Sequence, residues 1–269
     1  MNSPWSRRLK DHWQDFKARW HLLTAPLRPN DEVVQAIVEA VGPHVSNVLL
    51  LGVTPELVRA FTHLEAVDKS SQMIETLWQP EVATQTVREA NWLDMDDRYG
   101  KYSAIVGDCS MNALQTSDEI ASLLRVVRDH LARGGVFACR VFARPEKPIV
   151  EADLLRAIDR GTHGNFHAFK WQIAMSLAGE FGPAVRAVNI LKRFNRLFGD
   201  RQQLAVKTGW ARDTIDTIDV YQQSDMAISF PNRQEFDQLF TTNLGAFEWL
   251  ECGTYDLAEC CPIVVASPA

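Results

Sequence analysis

The sequence predicts an α/β protein, a doubly wound and mostly parallel seven-stranded sheet interrupted by a helical insertion. Three observations carry this prediction. Apolar runs of strand length alternate with amphipathic helical stretches between residues 48 and 142, the pattern of parallel strands covered on both faces. From about residue 144 to 228 the apolar period is helical, and this stretch of roughly 85 residues is too long for an ordinary connection. Residues 247–257 and 261–266 then read as two closing strands, an antiparallel pair.

The elements follow in order. Trp5, Leu9, Trp13, Phe16 and Trp20 share one face of an N-terminal helix, which reads as a docking helix over a sheet edge or cleft. Pro26 and Pro29 end it, and Asn30 or Asp31 caps a second helix to about Val41. Val48, Leu49, Leu50 and Leu51 form a buried first strand that stops at Gly52. Thr54 stands at an N-cap, Pro55 at the first helical position and Glu56 near the positive helix end. Residues 64–67 form a second strand closing on Asp68, and Ser70 and Ser71 can cap a helix carrying Met73, Ile74, Leu77 and Trp78. Residues 82–87 and 102–106 are the third and fourth strands. A helix over 118–131 stops at Arg133-Gly134-Gly135, and 136–142 is the fifth strand. After the insertion, Pro231 or Asn232 starts a last helix with Phe236, Leu239 and Phe240. The chain divides accordingly into N-terminal helices (1–44), an α/β core (45–143), a cap (144–229) and the closing elements (230–269).

Composition narrows the function. With 269 residues, 46% hydrophobic and 23% charged, the chain can bury a full core as an ordinary globular protein. A formal charge of −6 disfavours a general grip on nucleic acid. No apolar run approaches the roughly 20 residues of a membrane span, and no h-region follows Arg7, Arg8 and Lys10. Cys109, Cys139, Cys252, Cys260 and Cys261 form no CxxC pair and read as reduced core thiols, which predicts a cytoplasmic protein.

The unit 45–68 places a glycine at the first strand tip and a carboxylate at the second. A nucleoside fits there, with backbone close to Gly52 and ribose hydroxyls on Asp68. A tight turn and a helix cap are the plainer reading of the same two residues.

The strand count and tips resemble the class I S-adenosylmethionine-dependent methyltransferases, whose Rossmann-like fold the resemblance implies over about residues 45–143 and 230–267. VLLLGV looks like the first motif and LEAVDKSSQMI the second; EANWLDM resembles the adenine-holding third tip. YSAIVGDCSMNAL looks like the fourth motif, and LARGGVFACRVF resembles the helix-GG-strand that follows. The resemblance implies S-adenosylmethionine as cofactor and a small-molecule acceptor as partner. It assigns Gly52, Val53 and Thr54 to the cofactor's carboxypropyl and ribose region, and Asp68 to the ribose diol. Lys69 and Met73 would flank the adenine, with Asn91 and Trp92 at its edge or face. Asp108 and Ser110 would face the methionine end. The plainer readings are that Asn91 caps a turn, Trp92 belongs to the core and Asp108 caps the segment after it.

The sequence departs from the family at Leu50, where an acid is usual, and at Val53, Thr54 and Pro55, which carry no further glycine. A dinucleotide needs backbone pressed against its pyrophosphate, so the missing glycines oppose an NAD-linked oxidoreductase more than a phosphate-free cofactor. A methyltransferase-like scaffold without catalysis is the alternative that the degenerate motif favours. No general base stands out. His163, His167 and Asp108 are candidates; the two histidines read first as surface or capping residues, next as acceptor contacts, and last as a zinc pair for which no third ligand is obvious. Lys192, Arg193 and Arg196 read as a solvated basic face.

Overall fold

The computed structural model describes residues 20–43 and 45–268. The expected N-terminal tryptophan helix lies outside them except for Trp20, which sits in a 3-10 turn, Trp20–Leu22. The strands are β1 (Val48–Leu51), β2 (Leu64–Asp68), β3 (Gln85–Glu89), β4 (Tyr102–Asp108), β5 (Leu131–Arg140), β6 (Ala184–Arg186), β7 (Ala227–Ser229), β8 (Phe247–Leu250) and β9 (Ile263–Ala266). Seven form one sheet in the order β3-β2-β1-β4-β5-β9-β8. Pairing is parallel from β3 through β5, and β9 runs antiparallel to both its neighbours. The helices are α1 (Asp31–Val41), α2 (Pro55–Ala60), α3 (Ser71–Leu77), α4 (Ser117–His130), α5 (Glu151–Arg160), α6 (Phe166–Phe181), α7 (Ala187–Leu197), α8 (Arg201–Thr208), α9 (Arg212–Asp216) and α10 (Arg233–Leu244).

Period-two alternation explains the two layers. Leu49, Leu51, Ile105 and Phe137 face α4 and α10 through Leu123, Phe236 and Phe240. Val48, Leu50, Val106 and Ala138 face α1 and α2 through Val33, Ile37 and Leu57. Helix starts follow from side chains that satisfy orphan amides. Asn30 accepts from the Val33 amide at 3.1 Å and Ser70 from Met73 at 3.2 Å. Thr116 and Glu119 form a reciprocal capping box, so α4 starts at Ser117.

The structure corrects several expected boundaries. β3 begins at Gln85 rather than 82, because the Gln85 amide turns back to the Val82 carbonyl and its side chain bonds the Val58 and Phe61 carbonyls. β5 begins at Leu131, with a register shift opposite Tyr102 and Ala104 where Gly134 takes a φ of 74°. The closing strands are four residues each, separated by a loop with a 3-10 turn at Ala258–Cys260. The segment between β5 and α10 is helical as expected but also holds the antiparallel pair β6–β7. Its own core, from Leu154 through Phe166, Ile190 and Phe230, continues onto Phe142 just beyond β5. No helix among the described residues is long and apolar enough to cross a membrane.

Candidate functional site

A crevice opens over the carboxyl ends of β1, β2 and β4. It encloses about 450 Å³ of atom-free space, counted to its open mouth, which lies within the range of small-molecule sites. Gly52, Val53, Thr54, Asp68, Met73, Trp92, Asp108 and Ser110 line it together with Trp20 and Cys109. Lys69 is exposed outside this lining. Asn91 is also outside it, because its amide caps the Trp92–Asp94 turn through the Leu93 amide and Asp94.

Gly52 takes a φ of 114°, a conformation that side chains rarely adopt, and its amide donates to the Val67 carbonyl at 2.9 Å. A Cβ there would lie 4.0 Å from both Asp68 Oδ2 and Trp92 Cζ2. The acid and the indole therefore flank the glycine. Trp92 Nε1 donates to the Val67 carbonyl at 2.5 Å, so the ring is fixed as a wall with its N–H spent. Thr54 occupies the N-cap position of α2 yet makes no capping bond with its hydroxyl.

Asp68 uses one oxygen, Oδ1, to accept the Ser70 amide at 2.8 Å. Burial raises its pKa above the ordinary carboxylate value, against the lowering pull of that amide and of Lys69. Oδ2 makes no hydrogen bond among the described residues and points to Gly52. A partly desolvated carboxylate with one open oxygen suits a ligand hydroxyl.

The β4 tip is built differently. Ser110 is buried and donates to the Leu51 carbonyl at 2.7 Å, an approach that requires Gly107, where a Cβ would meet Ser110 Oγ at 2.5 Å. Asp108 is held by Arg140 from both sides, Nε to Oδ1 at 2.6 Å and Nη2 to Oδ2 at 3.1 Å. That pairing speaks against Asp108 as a general base, since both oxygens are already engaged by a fixed cation. Arg140 is fully buried, and its Nη1 reaches the Tyr255 hydroxyl at 3.3 Å. Burial works against its charge, but Asp108 more than offsets this and holds it protonated. Cys109 adopts a left-handed conformation, φ 59°, beside this pair. Burial and the adjacent carboxylate push its thiol well above the usual value, so it stays protonated near neutrality.

The histidines stand outside the crevice lining. His163 Nδ1 lies 2.8 Å from the Gly164 carbonyl and its ring packs edge-on against Trp210. His167 lies in the first turn of α6 with Nε2 2.8 Å from the Leu22 carbonyl. Burial, with a smaller push from Lys170, lowers His167 to about 4. Among the described residues no group of three His, Cys, Asp or Glu could hold a metal. The expected basic face is matched by acids: Arg193 pairs with Glu151 and Glu180, and Arg196 with Glu151. Trp20, which the sequence reading puts on a face that docks over a sheet edge or cleft, lines the crevice; sequence reasoning missed Arg140 and Lys170 altogether.

No family model and no curated protein matches the chain. Solved structures do. One, described as a putative zinc-dependent alcohol dehydrogenase from Rhodobacter sphaeroides, aligns with a TM-score of 0.56 at 12% identity, over 94% of this chain and 97% of that one. DesVI from Streptomyces venezuelae aligns at 0.50 and 13% identity, over 88% and 89%. The CcbJ methyltransferase from Streptomyces caelestis aligns at 0.36 and 21% identity, over 41% of this chain and 51% of that one, so the match spans about half its length. At these identities the likeness speaks for the fold alone.

Proposed function

This chain has the Rossmann-like fold of the class I S-adenosylmethionine-dependent methyltransferases, and we propose that it transfers a methyl group from S-adenosylmethionine to a small-molecule acceptor. The observation that carries the reading is Asp68, which offers an unbonded carboxylate oxygen beside Gly52 at the crevice floor. A ribose diol supplies the hydroxyls such an oxygen lacks. The cofactor, when bound, supplies an activated methyl on a sulfonium for in-line displacement.

The chain's residues have the remaining tasks of alignment and exclusion of water. Asp68 orients the sugar, while the Trp92 and Met73 side chains wall the base. Gly52 keeps the backbone low enough for the cofactor's chain to pass. The Asp108–Arg140 pair fixes the β4 tip as a rigid, net-neutral wall, and the protonated Cys109 thiol does not compete as nucleophile. The small acceptor and a cytoplasmic setting, suggested by five free cysteines, belong to this proposal.

Leu50 favours a second reading. It is fully buried where the family carries an acid, so a scaffold that binds the nucleoside without turnover shares the same crevice. The missing glycines after Gly52 continue to oppose NAD.

Calorimetry with S-adenosylmethionine tests the site. The wild-type chain should give saturable heat, and Asp68→Ala should weaken binding by about 1–3 kcal/mol, the cost of an unmet hydroxyl pair. Unchanged affinity in a variant with native circular dichroism would remove Asp68 from the site. Turnover of the labelled methyl then separates the enzyme from the scaffold.

A further inference from the structure

We infer that the face of α6 bearing His167, Lys170 and Trp171 is the acceptor's polar contact surface, and that the acceptor is a flat aromatic acid with a hydrogen-bond donor beside its carboxylate. This rests on the methyl-transfer reading for the word acceptor, but its observations are independent of the cofactor crevice.

Residues three and four apart on a helix share a face. On this face three buried polar side chains have unmet capacity. Lys170 is 2% exposed and makes no hydrogen bond or ion pair among the described residues. Its Nζ is surrounded instead by rings, 5.0 Å from the centroid of Tyr221, 5.8 Å from Trp171 and 5.9 Å from Phe166. Trp171 Nε1 is buried without a hydrogen-bond partner among the described residues. His167 commits Nε2 to the Leu22 carbonyl, which leaves buried Nδ1 as an acceptor with no donor among the described residues. Buried polar groups are almost always bonded, so three unmet ones on one helix face need a common explanation.

The face packs against the residues that follow β5 and β7. Trp171 packs edge-on against Phe142 and Phe230, at 5.3 and 5.5 Å. Asn112, two residues after the crevice-lining Ser110, ties both sides together, donating to the Phe142 and Ser229 carbonyls at 2.8 and 2.7 Å.

The unmet inventory specifies a ligand. A carboxylate accepts from Lys170 Nζ and Trp171 Nε1 at once, and a neighbouring N–H or O–H donates to His167 Nδ1. Rings at Phe142, Phe166, Tyr221 and Phe230 favour a flat aromatic body. Burial alone pushes the Lys170 amine down to about 7, and an arriving carboxylate would hold it charged.

The test uses the full chain with 2-aminobenzoate as probe and aniline as its uncharged counterpart. Each is titrated by protein fluorescence with and without S-adenosylhomocysteine. Saturable binding of 2-aminobenzoate, weakened about tenfold or more by Lys170→Met, is expected from the loss of a charge-assisted bond. Aniline should bind correspondingly more weakly to wild type, and S-adenosylhomocysteine affinity should be unchanged in Lys170→Met. Trp171→Phe, which keeps the ring and deletes the N–H, should give a smaller loss and serves if the first variant fails to fold. Equal affinity of the two probes, equal affinity of wild type and variants, or no saturation by 2-aminobenzoate on a chain that binds S-adenosylhomocysteine would each overturn the inference. Failure of S-adenosylhomocysteine to bind instead overturns the methyl-transfer reading, and the acceptor role with it.

Discussion

Replacing Arg140 with alanine should cost about 3–5 kcal/mol of folding stability, because it strands a carboxylate that is barely exposed. Asp108 has 6% of its side-chain surface exposed, against none for Arg140. The two-point geometry, 2.6 and 3.1 Å, satisfies both carboxylate oxygens, and the guanidinium also lies 5.6 Å from the centre of the Phe142 ring. Removing the cation leaves the anion without its counter-charge and with only a sliver of its surface, on the crevice wall, open to water. Burying such a pair is a different matter from breaking it, since the gain from pairing is largely consumed by desolvation. The double variant Asp108→Asn, Arg140→Met should therefore recover much of the loss. Denaturant unfolding of the two single variants and the double one gives the coupling. A cost for Arg140→Ala below about 1 kcal/mol, the range of surface pairs, would mean that water reaches Asp108. The β4 tip would then be no rigid wall, and the proposed geometry at the methyl end would need a different basis.

How much of this was legible depends on which force fixed each residue. β1 and β4 were legible because burial on both faces makes them continuous apolar runs, Val48 to Leu51 and Ala104 to Val106. β3 was misplaced by three residues because it is an edge strand with one neighbour, so only Gln85 is fully buried and no apolar run marks it. The crevice was legible at Gly52 and Asp68 since strand tips carry the ligand in any sheet of this kind. Asn91 reads from the sequence either as an adenine contact or as a turn cap, and its amide makes the cap, while Lys69, assigned by position in a motif, is exposed. Trp20 was legible only as part of an apolar face that must cover something, a sheet edge or a cleft, and it lines the crevice.

Two signals were present and went unread. Arg140 is the one charge in an apolar strand, CRVF, and Lys170 stands in the apolar helix FHAFKWQIAMSLA with no acid three or four residues away. A charge in such a setting must find a distant partner or give up its proton. Arg140 does the first, and burial pushes Lys170 towards the second.

That difference predicts a stability profile. The Lys170 amine sits near 7 in the folded chain against an ordinary value of 10.5. Between those values the unfolded chain carries a proton that the folded chain lacks, so this group's contribution makes stability rise with pH across the window. The slope approaches about 1.4 kcal/mol per pH unit. Below pH 7 both states are protonated and the penalty is at its full size, an upper bound of about 4–5 kcal/mol. Lys170→Met removes the charge and keeps the unbranched stem, so the variant should be more stable than wild type by a few kcal/mol near pH 7. The advantage should shrink steadily towards pH 10. His167, lowered to about 4, adds its own slope only between pH 4 and 6.5, below this window. Thiols and tyrosines that titrate higher are common to both chains and cancel in the difference. A pH-independent gap between the two would mean that Lys170 keeps an ordinary amine pKa through solvent the fold does not exclude. The aromatic box would then be no dry site, and a carboxylate ligand would gain little from meeting Lys170 there. A gap that closes with rising pH instead means that the fold carries an uncompensated amine at a standing cost in stability. Selection tolerates such a cost most readily where the group meets a ligand.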